Sequence, residues 1–299
     1  MRIRNKIDLH LHIDGSVDPQ TVYELSRMDQ TEPECHRSLE QIRVSMTIPE
    51  GSYDPDFLTF EPPIRAMQTA HGITRVTREL VERLESEGLI YAELRFAPQY
   101  HLQKGLTQKD VVLAALEGLK QGLASCYTLR AGLILCAMNH CDPASNHEEN
   151  MQTVRLAKKY LGQGICGVDL AGYEENMPGY ADLFALAHSL QIPATTHSEF
   201  TVGDALQYNT TRIGHGYQAA LLPELTEAVI QKALRWKCAR TAACLMSTVL
   251  RAIIRIRCMF CFKKAPASPS TRIISPYSIR ILSLNMYFAA KWASRMKIS

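Results

Sequence analysis

The chain has 299 residues, enough for one large domain or two small ones with a substantial core. Apolar residues make up 46% of the chain and charged residues 21%, which excludes disordered, collagen-like and coiled-coil proteins. The sequence contains no apolar run of about 18 residues, and residues 1–15 lack the apolar core of a secretory signal. We therefore expect a cytoplasmic protein whose nine cysteines are free thiols or ligands.

Short β-rich runs alternate with helical patterns through the first 230 residues. The predicted strands are 7–12, 89–96, 128–136, 165–170, 192–197 and 212–215. The predicted helices are 19–27, 73–87, 108–125, 148–161, 180–189 and 202–208. Such alternation is typical of a mostly parallel sheet with helices outside it. It fits a (β/α)8 barrel that lacks its end or a doubly wound sheet, and alternation alone does not choose between them.

Charge is distributed unevenly along the chain. Residues 1–230 contain 19 Lys and Arg and all 30 Asp and Glu, whereas residues 231–299 contain 14 Lys and Arg and no acid. A folded surface normally mixes both signs, so we divide the chain into 1–230 and an aberrant basic tail, 231–299. Our hypothesis is that the tail comes from a frameshifted or damaged reading frame. The alternative is a genuine basic tail that binds anionic lipid or nucleic acid.

The strongest local signal is the stretch Asp8-Leu-His10-Leu-His12-Ile-Asp14-Gly15. In a strand, residues two apart point to the same face, so Asp8, His10, His12 and Asp14 are expected on one side. Two imidazoles about 6–7 Å apart along a strand can bind one metal ion from adjacent corners. The alternative is a pair of solvated histidines.

Three further motifs follow predicted strands. His197 lies in Thr-Thr-His-Ser-Glu, which ends at Glu199; His215 lies in Arg-Ile-Gly-His-Gly; and Gly172 ends Asp-Leu-Ala-Gly. Parallel α/β proteins bind their ligands at the carboxyl ends of strands. Glycine on both sides of His215 leaves its imidazole accessible to a ligand. Taken singly, each motif also fits a hydrogen-bonded histidine, a turn or a plain strand end.

In this order the four motifs resemble those of the adenosine deaminase family, zinc hydrolases of the amidohydrolase superfamily built on a (β/α)8 barrel. The stretch Tyr-Ala-Glu-Leu-Arg-Phe-Ala-Pro at 91–98 is similar to the second strand of that family. The resemblance covers about residues 6–230. It implies a TIM-type barrel that is incomplete at its C-terminal end. It also implies hydrolytic deamination of a small purine nucleoside, adenosine, to inosine and ammonia. Neither nucleic acid nor a membrane is expected as a partner, and the oligomeric state is not predicted.

The resemblance further implies which residues bind metal and substrate. One Zn²⁺ ion would be bound by His10, His12 and His197. His12, Asp14 and Gly172 would contact the substrate. Asp14 matches a residue that contacts the ribose 5′-hydroxyl, and Gly172 matches a glycine whose N–H meets a purine ring nitrogen.

Glu199 and His215 are the implied catalytic residues. Glu199 matches the acid that protonates N1 of the purine, and His215 matches the histidine that orients and deprotonates the attacking water.

Two departures from the family pattern affect these roles. Glu199 comes two residues after His197, where the family has a His-Ala-Gly-Glu spacing. The family's last-strand Thr-Asp-Asp is also missing, because no aspartate follows Asp204.

Two alternative functions follow from the same residues. The first is a deaminase of adenine or of a modified adenine nucleotide. Asp14 favours a nucleoside with a free 5′-hydroxyl instead, because a carboxylate repels a 5′-phosphate. The second is a non-catalytic, degenerate barrel or pseudogene product, since the last-strand aspartates are absent.

Overall fold

The computed structural model describes residues 6–49, 54, 57–232 and 235–237. Seven parallel strands form one sheet in sequence order. They are β1 (Lys6–His12), β2 (Leu89–Phe96), β3 (Arg130–Asn139), β4 (Ile165–Gly172), β5 (Ala194–Ser198), β6 (Arg212–His215) and β7 (Arg235–Lys237). The six predicted strands are confirmed, and β7 is one that sequence reasoning missed.

The helices of the described residues lie between the strands. They are α1 (Pro19–Met28), α2 (Leu39–Ser45), α3 (Glu61–Ala66), α4 (Ala70–Ser86), α5 (Gln108–Ala124), α6 (His147–Lys159), α7 (Ala181–Ser189), α8 (Val202–Ala205), α9 (Tyr217–Leu221) and α10 (Pro223–Gln231). All six predicted helices are present, although α8 is shorter than predicted. The prediction missed α2, α3, α9 and α10.

Side chains from distant strands meet inside the sheet, which shows that it is rolled. Strands β1 and β5 would lie about 19 Å apart in a flat sheet, yet the Nε2 atoms of His10 and His197 are 3.0 Å apart. Glu93 on β2 and Arg212 on β6 form an ion pair at 2.6 Å. A rolled parallel sheet with helices outside it is a TIM-type barrel. The structure therefore favours the barrel over the doubly wound sheet, the two architectures that the sequence pattern left open.

Helix α4 shows why the outer layer forms. The Thr69 side chain caps the helix by accepting a hydrogen bond from the Gly72 N–H. One face of α4 is buried, including Ile73, Val76 and Leu80, and it belongs to the main core between helices and sheet. Apolar residues at this spacing bury one helical stripe against the barrel. The packed helices leave the carboxyl ends of the strands free for a site.

The predicted division at residue 231 falls at the edge of the described residues. Strand β7 pairs with β6 shortly beyond that division, and the rest of the basic tail lies outside the described residues. The division and the frameshift hypothesis therefore stay predictions. In the part of the chain that the structure describes, no helix has both the length and the apolar character needed to cross a bilayer.

Candidate metal centre and active site

Three imidazoles converge at the carboxyl ends of β1 and β5. The Nε2 atoms of His10 and His12 each lie 3.0 Å from Nε2 of His197. The three nitrogens thus present their lone pairs or protons to one point, and together they form a group able to bind a metal ion. These are the three predicted zinc ligands, and the fold brings them together.

The local structure of β1 determines where the predicted aspartate lies. His10 and His12 both point to the barrel interior, as predicted for residues two apart in a strand. The strand ends at His12, however, and Asp14 begins a 3-10 turn, Asp14–Ser16. The expectation that Asp14 continues the face of the strand is therefore wrong. Its carboxylate Oδ1 still lies 4.0 Å from Nδ1 of His12.

Burial dominates the electrostatics of the site. It holds the pKa of His10, His12 and His215 well below the usual range of histidine, with further lowering by neighbouring positive groups. Burial also raises the pKa of Asp14 to about 6. Imidazoles that stay neutral at pH 7 keep the ring-nitrogen lone pair that a metal ligand needs.

The donor set fits a zinc ion. Ligating nitrogens about 2.0–2.1 Å from a tetrahedral Zn²⁺ are about 3.3 Å apart, close to the 3.0 Å spacings found here. Nδ1 of His197 faces Oδ2 of the fully buried Asp169 at 2.8 Å. Carboxylates in this position typically fix the ring orientation and tautomer of a metal-ligating histidine.

A buried arginine supports this carboxylate from the other side. Nη1 of Arg95 donates to the same Oδ2 of Asp169 at 2.7 Å, and Nη2 donates to the Leu9 carbonyl at 2.7 Å. The side chains of Arg95 and Asp169 are both 0% exposed. Because Leu9 immediately precedes His10, Arg95 connects β1 to the carboxylate that faces His197.

Gly214 and Gly216, on either side of His215, are explained by two different structural features. His215 has φ of 61° and Gly216 φ of 65°, so two successive left-handed residues end β6. A Cβ on Gly214 would lie 2.8 Å from Cε1 of His10. Gly214 therefore leaves space for the imidazole of His10, and the unusual backbone of His215 directs its ring towards the same centre, with ring centroids 4.6 Å from His10.

The predicted acid also reaches the site despite its shortened spacing. Oε1 of Glu199 lies 3.6 Å from Nδ1 of His215. Glu199 is only 8% exposed. Burial, followed by the negative charge of Glu174, raises its pKa well above the usual range of a glutamate. The structure thus pairs the two predicted catalytic residues.

Gly172 ends β4 on the same edge of the sheet as the histidines. Its φ is 101°, and a Cβ there would lie 2.5 Å from the carbonyl oxygen of Asn139 on β3. Only glycine fits without displacing that backbone. Its N–H belongs to a strand end at the mouth of the barrel, as the sequence predicted.

An aromatic group lies beside the histidines. The ring of Phe60 is 6.2 Å from that of His12, and Phe57 is 6.3 Å from Phe60 and 5.8 Å from Tyr173, measured between centroids. These rings offer apolar surface to a flat, partly apolar ligand. No pattern in the sequence indicated these rings.

Asp169, Arg95 and Glu174 are the polar residues at the site that sequence reasoning missed. Asp169 lies within the quoted Asp-Leu-Ala-Gly motif, three residues before Gly172. Arg95 lies within the stretch that resembles the second strand of the family. These residues therefore lie in stretches that the sequence pattern had indicated, but the sequence does not show that their side chains contact His197 and the loop after it.

Comparison with known proteins agrees with this geometry. The profile of the adenosine deaminase family matches residues 5–256. An adenosine deaminase from Haemophilus ducreyi is 35% identical over 238 residues, which is 76% of this chain and 68% of that enzyme. One from Clostridium acetobutylicum is 36% identical over 236 residues, 76% of this chain and 69% of that enzyme.

Solved structures of lower identity share the fold. An N6-mAMP deaminase from Arabidopsis has a TM-score of 0.67 at 21% identity, covering 84% of this chain and 75% of that one. An adenine deaminase from Arthrobacter aurescens has a TM-score of 0.68 at 16% identity, covering 88% and 80%. A zinc-bound amidohydrolase from Burkholderia ambifaria has a TM-score of 0.69 at 17% identity, covering 83% and 67%. From the family profile and the curated relatives together, we conclude that the chain belongs to the adenosine deaminase family and is an aminohydrolase.

Proposed function

We propose that this chain deaminates adenosine hydrolytically, to inosine and ammonia, with one zinc ion bound by His10, His12 and His197. The observation that carries the proposal is the convergence of three imidazole Nε2 atoms on one point, with 3.0 Å between the paired nitrogens. Catalytic zinc sites commonly have three protein ligands and keep one coordination position open. Three histidines are therefore a sufficient set, although no aspartate follows Asp204.

His215 is proposed as the base of the reaction. The chemistry that zinc supplies when bound is the acidification of water, because it lowers the pKa of that water towards about 7. His215 orients the attacking water and accepts its proton. Its position supports this role, because the left-handed backbone turns the ring towards His10 and His197.

Glu199 is proposed as the acid. It donates a proton to N1 of the purine, which withdraws electrons from C6 and opens that carbon to attack. A carboxyl group that must be protonated near neutral pH needs a dry setting. The 8% exposure of Glu199 supports such a role.

The rest of the nucleoside would be bound by groups around the mouth. The N–H of Gly172 donates to a ring nitrogen of the base, and the rings of Phe57 and Phe60 contact its faces. Asp14 binds the ribose 5′-hydroxyl, and His12 borders the same space. The proximity of Asp14 to His12, 4.0 Å between carboxylate and ring nitrogen, supports a substrate that extends from the metal centre to this carboxylate.

Two other functions remain as alternatives. A deaminase of adenine or of a modified adenine nucleotide would use the same metal centre, and deaminases with those names share the fold. The carboxylate of Asp14 favours a nucleoside over a nucleotide, because it would repel a 5′-phosphate. A non-catalytic barrel would bind zinc or purine without turnover.

The test is metal analysis together with ammonia release from adenosine, adenine and N6-methyl-AMP. We expect one zinc per chain and the highest kcat/KM with adenosine. A preference for adenine or the nucleotide would select the first alternative, and bound zinc without ammonia release from any substrate would select the second.

The variant His197→Ala checks the ligand set in the same assay. It should lose both zinc and ammonia release, because it removes the imidazole that both other ligands face. The matched control is His188→Ala, since His188 is exposed on α7 away from the metal centre. Full zinc content in the His197 variant would contradict the proposed centre.

The proposal also includes a cytoplasmic location and a separate C-terminal tail. The five cysteines of the described residues are free thiols, which supports a cytoplasmic location. We retain the division at residue 231. The nucleotide sequence around that codon tests it, and a genuine tail is supported if no alternative frame encodes a Thr-Asp-Asp stretch.

A further inference from the structure

Glu174 lies just beyond β4 and contacts the segment that carries the proposed acid. Its carboxylate accepts a hydrogen bond from the backbone N–H of Glu199 and one from the N–H of Phe200, the latter at 3.1 Å. The hydroxyl of Thr201 donates to the same carboxylate at 2.9 Å. Three donors from three successive residues thus meet one side chain.

Other contacts fix the same segment from the opposite side. The N–H of Gln218 donates to the carbonyl of Glu199 at 2.7 Å, and the N–H of Gly216 donates to the carbonyl of Ser198 at 2.8 Å. The peptide groups around Glu199 are therefore held from the β4 side by the Glu174 carboxylate and from the β6 side by the backbone N–H groups of Gly216 and Gln218. Among the described residues, the carboxylate that accepts from the N–H groups of Glu199 and Phe200 is that of Glu174.

From these contacts we propose that Glu174 is the positioning residue for Glu199: it fixes the backbone after His197 so that the Glu199 carboxylate faces His215. The inference rests on the proposed function, because it assigns Glu174 a role in the same reaction. The segment between His197 and Glu199 has one intervening residue. A short loop leaves little freedom to correct a misplaced carboxylate, so an external anchor has a large effect on its direction.

The magnitude follows from how strongly catalysis depends on placement. A displacement of about 1 Å at a reacting group can reduce the rate roughly 100-fold. Glu174→Ala removes all three acceptor contacts, so kcat is expected to fall by about 10- to 100-fold with a small change in KM. Glu174→Gln keeps one acceptor oxygen and is expected to recover part of that loss. Zinc content should stay at one ion per chain in both variants.

A matched control is available one residue away. Glu175 is exposed and has the same charge, and its backbone carbonyl, not its side chain, accepts a hydrogen bond from Asn139. Glu175→Gln should therefore leave kcat and KM unchanged.

A double-mutant cycle separates positioning from general damage. If Glu174 acts through Glu199, Glu174→Ala should cost little further activity in a Glu199→Gln background.

Amide hydrogen exchange of the zinc-loaded protein supplies a readout that does not need turnover. In Glu174→Ala, faster exchange confined to residues 199 and 200, with zinc retained, supports the inference. Unchanged exchange at these amides, faster exchange over the whole barrel, or loss of zinc would overturn it, as would an additive double-mutant cycle. If the unmodified chain releases no ammonia, the proposed function fails, while the exchange experiment still decides whether Glu174 anchors this segment.

Discussion

Two ion pairs lie inside the barrel, and both begin on β2. Arg95 pairs with Asp169 at 2.7 Å, and Glu93, two residues earlier on the same face, pairs with Arg212 at 2.6 Å. The first pair shares its carboxylate with His197. The second joins β2 to β6, and its carboxylate also accepts a hydrogen bond from the hydroxyl of Tyr91. The comparison indicates that similar buried pairs can serve a metal centre in one case and hold the barrel together in the other.

The sharpest test of this difference removes one charge from each pair. Asp169→Asn should lower zinc affinity by about 10- to 100-fold, because it changes the partner that orients a ligand. Glu93→Gln should leave zinc affinity unchanged. Both should lower the free energy of unfolding by up to about 3–5 kcal/mol, since each leaves an arginine buried without its partner.

Competition with a zinc chelator and urea unfolding measure these two quantities. Glu148→Gln is the control, because its pair with Arg155 is exposed and should change stability by less than about 1 kcal/mol. Equal loss of zinc affinity in Asp169→Asn and Glu93→Gln would remove the distinction between the two pairs.

Replacing both members of a pair sharpens the comparison further. Glu93→Leu combined with Arg212→Met should unfold at a urea concentration equal to or above that of the unmodified protein, because no uncompensated charge remains. Arg95→Met combined with Asp169→Leu should also avoid that penalty, yet its zinc affinity should stay low. Recovery of zinc affinity in the second double variant would show that Asp169 does not orient His197.

The smallest predicted effect is the pH dependence of stability caused by His101, a buried histidine that belongs to neither ion pair. His101 is 0% exposed, and burial lowers its pKa to about 4. An unfolded histidine titrates near 6.5, so the unfolded chain binds more protons between these values and the folded state loses stability as the pH falls. Between pH 7 and pH 5 this amounts to about 2 kcal/mol. Urea midpoints at both pH values should show the loss, and His101→Gln should reduce it; an unchanged pH dependence would contradict this assignment.

Local patterns in the sequence were sufficient for the six predicted strands, and the resemblance to the family indicated the three histidines that the fold brings together. His10 and His12 are separated by one residue of a predicted strand, and His197 ends another, so the shared edge of a parallel sheet brings them together. The short β7 was missed because three residues carry little periodicity. Helices α9 and α10 were missed because both are short and only Leu222 separates them.

The polar support of the site was less predictable because it depends on long-range geometry. Arg95 and Asp169 are separated by 74 residues, and their contact depends on the order β2-β3-β4 in the sheet and on both side chains facing the interior. The contacts of Glu174 depend on how two loops approach each other, and the motif before it predicts only a strand end. Asp14 was misplaced because the strand pattern continues in the sequence beyond the point at which the chain turns.

Gly214 has a consequence for how this protein can change over time. A single added methyl group there would occupy the space taken by the ring of His10. Random mutagenesis aimed at altered substrate preference should therefore recover substitutions around the mouth and almost none at position 214. Homologues that have lost the activity should be recognisable by a residue other than glycine at position 214.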